Sequence, residues 1–220
     1  MKKLITMIFV VMMFAAFHGT AHSQKVNLNA YSFYTLDDKI EATDGYSYFN
    51  GTIKAGLLWG FGLEFMPVPD YGVELAYFRQ DTDVPTEWYT GAVSGIATTE
   101  TFKLGGNYIL LGGTRYFRIP KSPVEPFLGL MMGVGIMENK EPKYNGESSV
   151  TKFAWQLKGG VNIMASKNVG IKLQIHMLSA VQSVGGGLYL GTGGSGYGVT
   201  TNSSMLQMGF GGGLVFRFGK

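Results

Sequence analysis

The chain has no cysteine among its 220 residues, so disulfides and thiolate metal sites are excluded. This says little about compartment, because an oxidising one permits disulfides without demanding them. Charge is also scarce. Asp, Glu, Lys and Arg make up 15% of the chain, against about 25% in soluble domains. Histidine numbers 3, and beyond residue 23 only His176 is left, too few for a histidine-cluster metal site. The balance of 18 basic to 15 acidic side chains leaves no electrostatic footprint for nucleic acid. Past the first residues no apolar run approaches the roughly 20 residues of a membrane-spanning helix. What the chain has instead is glycine, 33 residues, and aromatics at 14%. A lipid-facing wall that excludes charge, closed round a narrow interior that favours glycine, accounts for both.

The first 23 residues read as a secretory signal peptide. Met1-Lys2-Lys3 is a positive start, Leu4 to Phe17 is apolar apart from Thr6, and small polar residues follow. Ala21-His22-Ser23 fits a cleavage site, and Gly19-Thr20-Ala21 is a second one. Residues 24–220 are then expected to form one domain, exported through the Sec pathway.

In that domain the dominant signal is alternation with period two. From Leu206 to Phe218 apolar residues or glycine occupy every second position, and Gln207, Gly209, Gly211, Gly213, Val215 and Arg217 lie between them. Successive strand side chains point to opposite faces, so this is one apolar and one small or polar face. Similar stretches begin near Lys25, Gly51, Gly72, Lys103, Val124, Val150 and Ile171. In the second, Leu57, Trp59, Phe61, Leu63 and Phe65 share a face with Ile53 and Ala55. In the third, Val73, Leu75 and Tyr77 face out, and Glu74, Ala76 and Phe78 face in. The fourth is expected to turn Tyr108, Leu110 and Tyr116 out and Asn107 and Arg115 in. In the fifth, Leu128 to Ile136 alternate against Gly129, Gly133 and Gly135. In the sixth and seventh, Phe153, Trp155, Leu157, Ile171, Leu173 and Ile175 oppose Lys152, Gln156, Lys158, Lys172, Gln174 and His176. Trp59 and Trp155 should therefore point away from the interior.

The links between stretches alternate long and short. Pro67 to Asp70, Pro120 to Pro123 and Ser166 to Asn168 are short. Asp37 to Gly45, the segment with Pro85, Gly91 and Gly95, Glu138 to Ser149 and Gln182 to Ser203 are long. Long extracellular loops and short periplasmic turns are the pattern of transmembrane barrels. In lipid every backbone group needs an internal partner, so the sheet must close. The expected fold is all-β, an eight-stranded antiparallel up-and-down transmembrane β-barrel. Tyr34, Phe65, Tyr77, Tyr116, Phe117, Phe216 and Phe218 suit its interfacial girdles.

Gly60-Phe61-Gly62-Leu63-Glu64-Phe65, Gly72 to Tyr77, Glu125 to Leu130 and the terminal Gly213-Leu214-Val215-Phe216-Arg217-Phe218 resemble the small outer-membrane β-barrel families of Gram-negative bacteria, those of outer-membrane proteins A, X and W. The resemblance spans the mature chain at the level of pattern. It implies a cell outer-membrane protein in contact with outer-membrane lipid and lipopolysaccharide. It also implies that Phe216 and Phe218 are an assembly signal read by the barrel-assembly machinery, although Gly219-Lys220 extends past the usual final aromatic.

The inward charges are the most specific candidates. Glu64, Glu74, Arg115, Glu125, Lys172 and Arg217 should all lie near the periplasmic end, and three acids with three bases at one depth point to an ion-pair network that closes the lumen. His176, beside Gln174 and three positions before Ser179, lacks the spacing of a barrel hydrolase and reads as a lone lumen histidine. Gly191-Thr192-Gly193-Gly194-Ser195-Gly196 has no P-loop lysine. Asp37, Asp38, Glu41 and Asp44 read as solvated charge or, less simply, a cation-bridged contact to lipopolysaccharide. No nucleophile and base come together, so neither an enzyme nor a cofactor is expected. The leading expectation is a monomeric structural or interaction barrel with exposed loops. The alternative is a narrow pore or a conduit for small hydrophobic molecules, for which Phe33, Leu58, Phe78 and Phe127 would line the way.

Overall fold

A computed structural model describes residues 25–44, 47–89, 98–141, 146–181 and 205–219. Residues 1–24, which contain the expected signal segment, and the glycine-rich stretch from 182 to 204 lie outside the described residues. Among the described residues ten strands form one antiparallel sheet: β1 (Lys25–Thr35), β2 (Asp38–Asp44), β3 (Ser47–Ile53), β4 (Gly56–Val68), β5 (Tyr71–Tyr89), β6 (Thr98–Tyr116), β7 (Val124–Glu141), β8 (Gly146–Met164), β9 (Val169–Val181) and β10 (Met205–Phe218). Eight of them pair in chain order, and β1 pairs with β10 to close the cylinder. The β2–β3 hairpin prolongs β1 and β4 beyond the wall and joins β5 through Gly51 and Thr86.

Alternation decides what faces out. On β4, Leu57, Trp59, Phe61 and Leu63 are all exposed, Trp59 by 45% and Phe61 by 54%, while Leu58 and Glu64 are buried. Trp155 shares its face with the exposed Phe153 and Leu157. The outward face stays apolar up to Tyr77 and Ile109, then turns to Arg79, Asp81 and Asp83 on β5 and Lys103 on β6. That switch marks where hydrocarbon gives way to water.

Three expectations need correction. The segment around Pro85 is strand, not loop: β5 and β6 stay paired out to Trp88 and Thr98, and β7 and β8 to Glu141 and Gly146. Val84, Thr86 and Phe102 are buried there, so inward alternation outlasts the apolar belt because water has replaced lipid outside. The β3–β5 ladder ends at Gly51–Thr86, so Pro85 stands just past its last pair, and the facing chain leaves the strand at Lys54–Ala55. That break also inverts the face of Ile53, which points in and is 1% exposed. Strand β6 has the opposite phase to the one expected: Tyr108, Leu110 and Tyr116 fill the lumen, and Ile109 and Leu111 face out. Both faces of this stretch are apolar, so polarity could not fix its register.

Glycine makes the filling possible. Large inward side chains sit opposite glycine in register: Phe78 against Gly60, Tyr108 against Gly135, Leu110 against Gly133, Tyr31 against Gly213 and Phe33 against Gly211. A Cβ at Gly60 would overlap the Phe78 ring, and one at Gly213 would overlap the Ala30 carbonyl oxygen. An eight-stranded lumen is just wide enough for side chains, and here ring and glycine share the width.

Candidate functional site

The lumen is filled in two storeys. Toward the short-turn end lies a charged network. Glu64 on β4 and Glu74 on β5 face each other in register, a repulsive arrangement relieved by splaying: a Cβ on Gly62 would strike the Glu74 carboxylate, and one on Gly72 that of Glu64. Each carboxylate therefore leans over a glycine, away from the other. Glu74 is fully buried and pairs with the Lys158 ammonium from β8, which is 1% exposed. It also accepts hydrogen bonds from Tyr31 Oη and, at 2.8 Å, from Asn29 Nδ2. Glu64 accepts from Asn27 Nδ2 at 2.9 Å and from Tyr116 Oη at 2.7 Å. Nearest the turns, Glu125 accepts from the two terminal guanidinium nitrogens of Arg217, at 2.7 and 3.2 Å, and from Arg118 Nε at 3.1 Å. Arg118 reaches on to Asp70 at 3.3 Å, and Arg217 Nε to Asn27 at 3.2 Å.

The expected lumen residues do not all meet. Glu64, Glu74, Glu125, Lys172 and Arg217 lie inside. The Lys172 ammonium rests over the rings of Phe127 and Tyr31, at 4.8 and 5.3 Å. Arg115 is a correction. With the reversed phase of β6 it lies on the outer wall at the short-turn rim, 4.2 Å from the Tyr71 ring centroid and 6.0 Å from that of Phe117. An interfacial cation can stack on girdle aromatics and reach water there. Tyr116, assigned to that girdle, instead holds Glu64. The residues missed were Lys158 and Arg118. Lys158 was legible as inward but sits higher on its own strand, and the stagger of tilted strands brings it level with Glu74. Arg118 follows the end of β6 and curls back inside.

The upper storey is apolar: Phe33, Leu58, Phe78, Tyr108, Leu110, Met131, Met137, Leu178 and neighbours form one buried cluster. A crevice bounded by Ile53, Tyr108, Met137 and Met205 has no room for a solvent molecule. His176 sits edge-on to Phe33, with centroids 4.6 Å apart, while Ser179 donates to the Met205 carbonyl oxygen at 2.8 Å. The two are not joined. On the inner wall of β8 to β10, Gln156, Gln174, His176 and Gln207 carry buried polar atoms without a protein hydrogen bond.

Outside the lumen, Asp37 and Asp38 at the start of the first hairpin brace the backbone. Asp37 accepts from the Ala55 amide and Asp38 from Leu206 N at 3.0 Å. Burial raises the Asp38 carboxyl above its ordinary range, and the Leu206 amide offsets part of the rise. No group of three metal-ligating side chains occurs among the described residues. Phe216 and Phe218 lie on the lipid side of β10 at the short-turn end, paired in register with Leu28 and Val26.

No family model and no curated protein matches the chain. Solved structures do. Neisserial surface protein A is 14% identical over 90% of this chain and 99% of its own, with a TM-score of 0.51. The outer membrane protein OprG from Pseudomonas aeruginosa is 12% identical over 89% and 96%, with a TM-score of 0.54. The outer membrane protease OmpT from Escherichia coli is 9% identical over 91% and 99%, with a TM-score of 0.50. At these identities the likeness is one of fold, and the fold this chain shares is the closed antiparallel outer-membrane β-barrel, here eight strands round.

Proposed function

We propose that this protein is an integral outer-membrane barrel acting as a closed monomeric pedestal, with a structural or interaction role carried by the strands and connections that rise beyond the membrane. The two-storey filling is the observation that carries this reading. Ions meet a charged network at one end and a buried apolar cluster at the other. Export with removal of residues 1–23, and recognition of Phe216 and Phe218 by the barrel-assembly machinery, belong to the same reading. The protein is read as a non-enzyme: its one histidine beyond the signal segment is buried in the lumen and unconnected to Ser179.

Planar-bilayer conductance of the refolded mature protein tests the proposal. The wild type is expected to be electrically silent. Loosening the turn-end edge of the lower storey, with Arg217→Ala, should leave it silent, because the apolar storey still blocks the way. Combining Arg217→Ala with Phe33→Ala and Phe78→Ala should open measurable channels. Arg115→Ala, on the outer wall, should change nothing. Steady wild-type current would overturn the pedestal reading. It would favour the second one, a narrow path along the polar wall of Gln156, Gln174 and Gln207.

A further inference from the structure

At the short-turn end of the cylinder the acids are spent and the bases are left over. The described acids there are Asp70 and Glu125, and both are neutralised: Glu125 by Arg217 and Arg118, Asp70 by Arg118. Lys25 at the foot of β1, Lys121 in the β6–β7 turn and Lys167 in the β8–β9 turn are exposed. None of the three has an acidic partner among the described residues. Arg115 has aromatic rings for company instead of a carboxylate. The described face at this end therefore carries net positive charge.

Both turn lysines are held in place. Pro120 precedes Lys121, the Ser122 amide donates to the Ile119 carbonyl oxygen at 3.1 Å, and Lys121 adopts φ 64°, the pattern of a type II turn. That third position favours glycine, because a Cβ is crowded in the left-handed region. Asp70 follows Pro69 in the same way, at φ 70°, and there its carboxylate engages Arg118. Lys121 engages no acid within the described molecule. A residue kept in a sparsely populated conformation without an internal contact points to a role outside it. In the β8–β9 turn, Ser166 Oγ accepts from the amides of Asn168 and Val169, at 3.2 and 3.1 Å. Asn168 is clamped to the end of β10. Its carbonyl oxygen accepts from the Arg217 amide at 2.7 Å, and its Nδ2 donates to the Arg217 carbonyl oxygen at 2.8 Å. Lys167 lies between these fixed neighbours, so its backbone is ordered before a partner arrives.

We infer that this face docks the carboxylate-bearing peptide stems of the cell-wall polymer. The inference rests on the orientation in the proposed function, in which the short turns face the periplasm. An exposed lysine–carboxylate contact is weak by itself, so one small anion is not retained. A polymer that repeats its carboxylates engages several lysines at once and gains from effective concentration. Lys25, Lys121 and Lys167 belong to separate strands and turns round the barrel mouth. They form a spread ring, which suits an extended partner better than a compact one. Arg115, stacked on the girdle rings of Tyr71 and Phe117, marks the headgroup level. Lys121 and Lys167 lie in turns beyond the last strand residues, on the aqueous side of that level. Lipid phosphates reach the height of Arg115, and the turn lysines face the periplasm.

Co-sedimentation of the refolded mature protein, in neutral detergent, with purified cell-wall sacculi tests the inference. Wild type is expected to pellet at low salt and to be released at high salt. The double variant Lys121→Gly with Lys167→Gln should lower retention about tenfold, the scale of two exposed ion pairs. Lys121→Gly relaxes the turn, so heat-modifiable migration should show it folding at least as well as wild type. A lysine with only a structural role would alter folding and leave retention unchanged. Arg115→Gln should pellet like wild type, and sacculi whose carboxylates are converted to neutral amides should not retain the protein. Undiminished pelleting of the double variant, or equal pelleting with amidated sacculi, overturns the inference. So does release by Arg115→Gln as complete as by the double variant, which would assign the face to phospholipid. The pedestal reading fails instead by conductance, so the two failures are distinguishable.

Discussion

Replacing Lys158 with methionine is expected to destabilise the refolded barrel by about 3–5 kcal/mol, the cost of leaving a buried charge without its partner. The side chain is removed without opening much of a cavity, so the loss reports the charge. Glu74 would keep its hydrogen bonds from Tyr31 and Asn29, but no ammonium would face it directly. Lys172 is also buried, over the Tyr31 and Phe127 rings, and its field softens the penalty without removing it. The double variant Glu74→Gln with Lys158→Met should return to within about 1 kcal/mol of wild type, because replacing a whole buried pair by neutral groups of similar size is often harmless. Urea titration in lipid vesicles, followed by Trp fluorescence, measures all three. A double variant no better than the single would show that Glu74 and Lys158 do not act as a pair.

The second large effect is expected at the seam where β1 meets β10. Gly213 opposes Tyr31, and a Cβ added there would overlap the backbone carbonyl of Ala30. A flexible side chain could step aside, but a carbonyl inside the closing ladder cannot move without loosening the seam. Gly213→Val should therefore cost at least the upper end of ordinary overpacking, about 3 kcal/mol, and should visibly reduce refolding yield. Gly113→Val is the matched control. That glycine faces out, and the nearest atom to a Cβ there is the Gly72 carbonyl oxygen at 3.9 Å, so refolding should be unchanged. Heat-modifiable migration in gels scores both. Equal yields from the two variants would show that the seam tolerates side chains.

Legibility differed strand by strand, for a physical reason. Where one face is apolar and the other polar, as on β9 with Ile171, Leu173 and Ile175 against Lys172, Gln174 and His176, burial follows the alternation. On β6 the run Tyr108-Ile109-Leu110-Leu111 is apolar on both faces, and lipid and lumen compete for the same residues. The glycines of β7 settle that competition, since Gly133 and Gly135 leave room for Leu110 and Tyr108. No reading of β6 alone contains that fact. The same inversion carried Arg115 out of the lumen and brought Tyr116 to Glu64.

The charged candidates show a similar division. That Glu64, Glu74, Glu125, Lys172 and Arg217 point inward was readable from parity. Which partners they find was not, because partner choice depends on strand tilt and stagger, and these set the depth at which residues of distant strands meet. Lys158 and Glu74 are 84 positions apart, and only the closed cylinder makes them neighbours.

The order of residues along the chain by itself determined that a wall forms, that it has a lipid side, and that it closes, since period-two alternation and the ban on open edges in hydrocarbon are local and general constraints. The tertiary structure alone decided which charges neutralise one another and which aromatic rings fill the hollow. Those outcomes depend on shear and on the space that glycines of neighbouring strands release, and neither is written in any single strand.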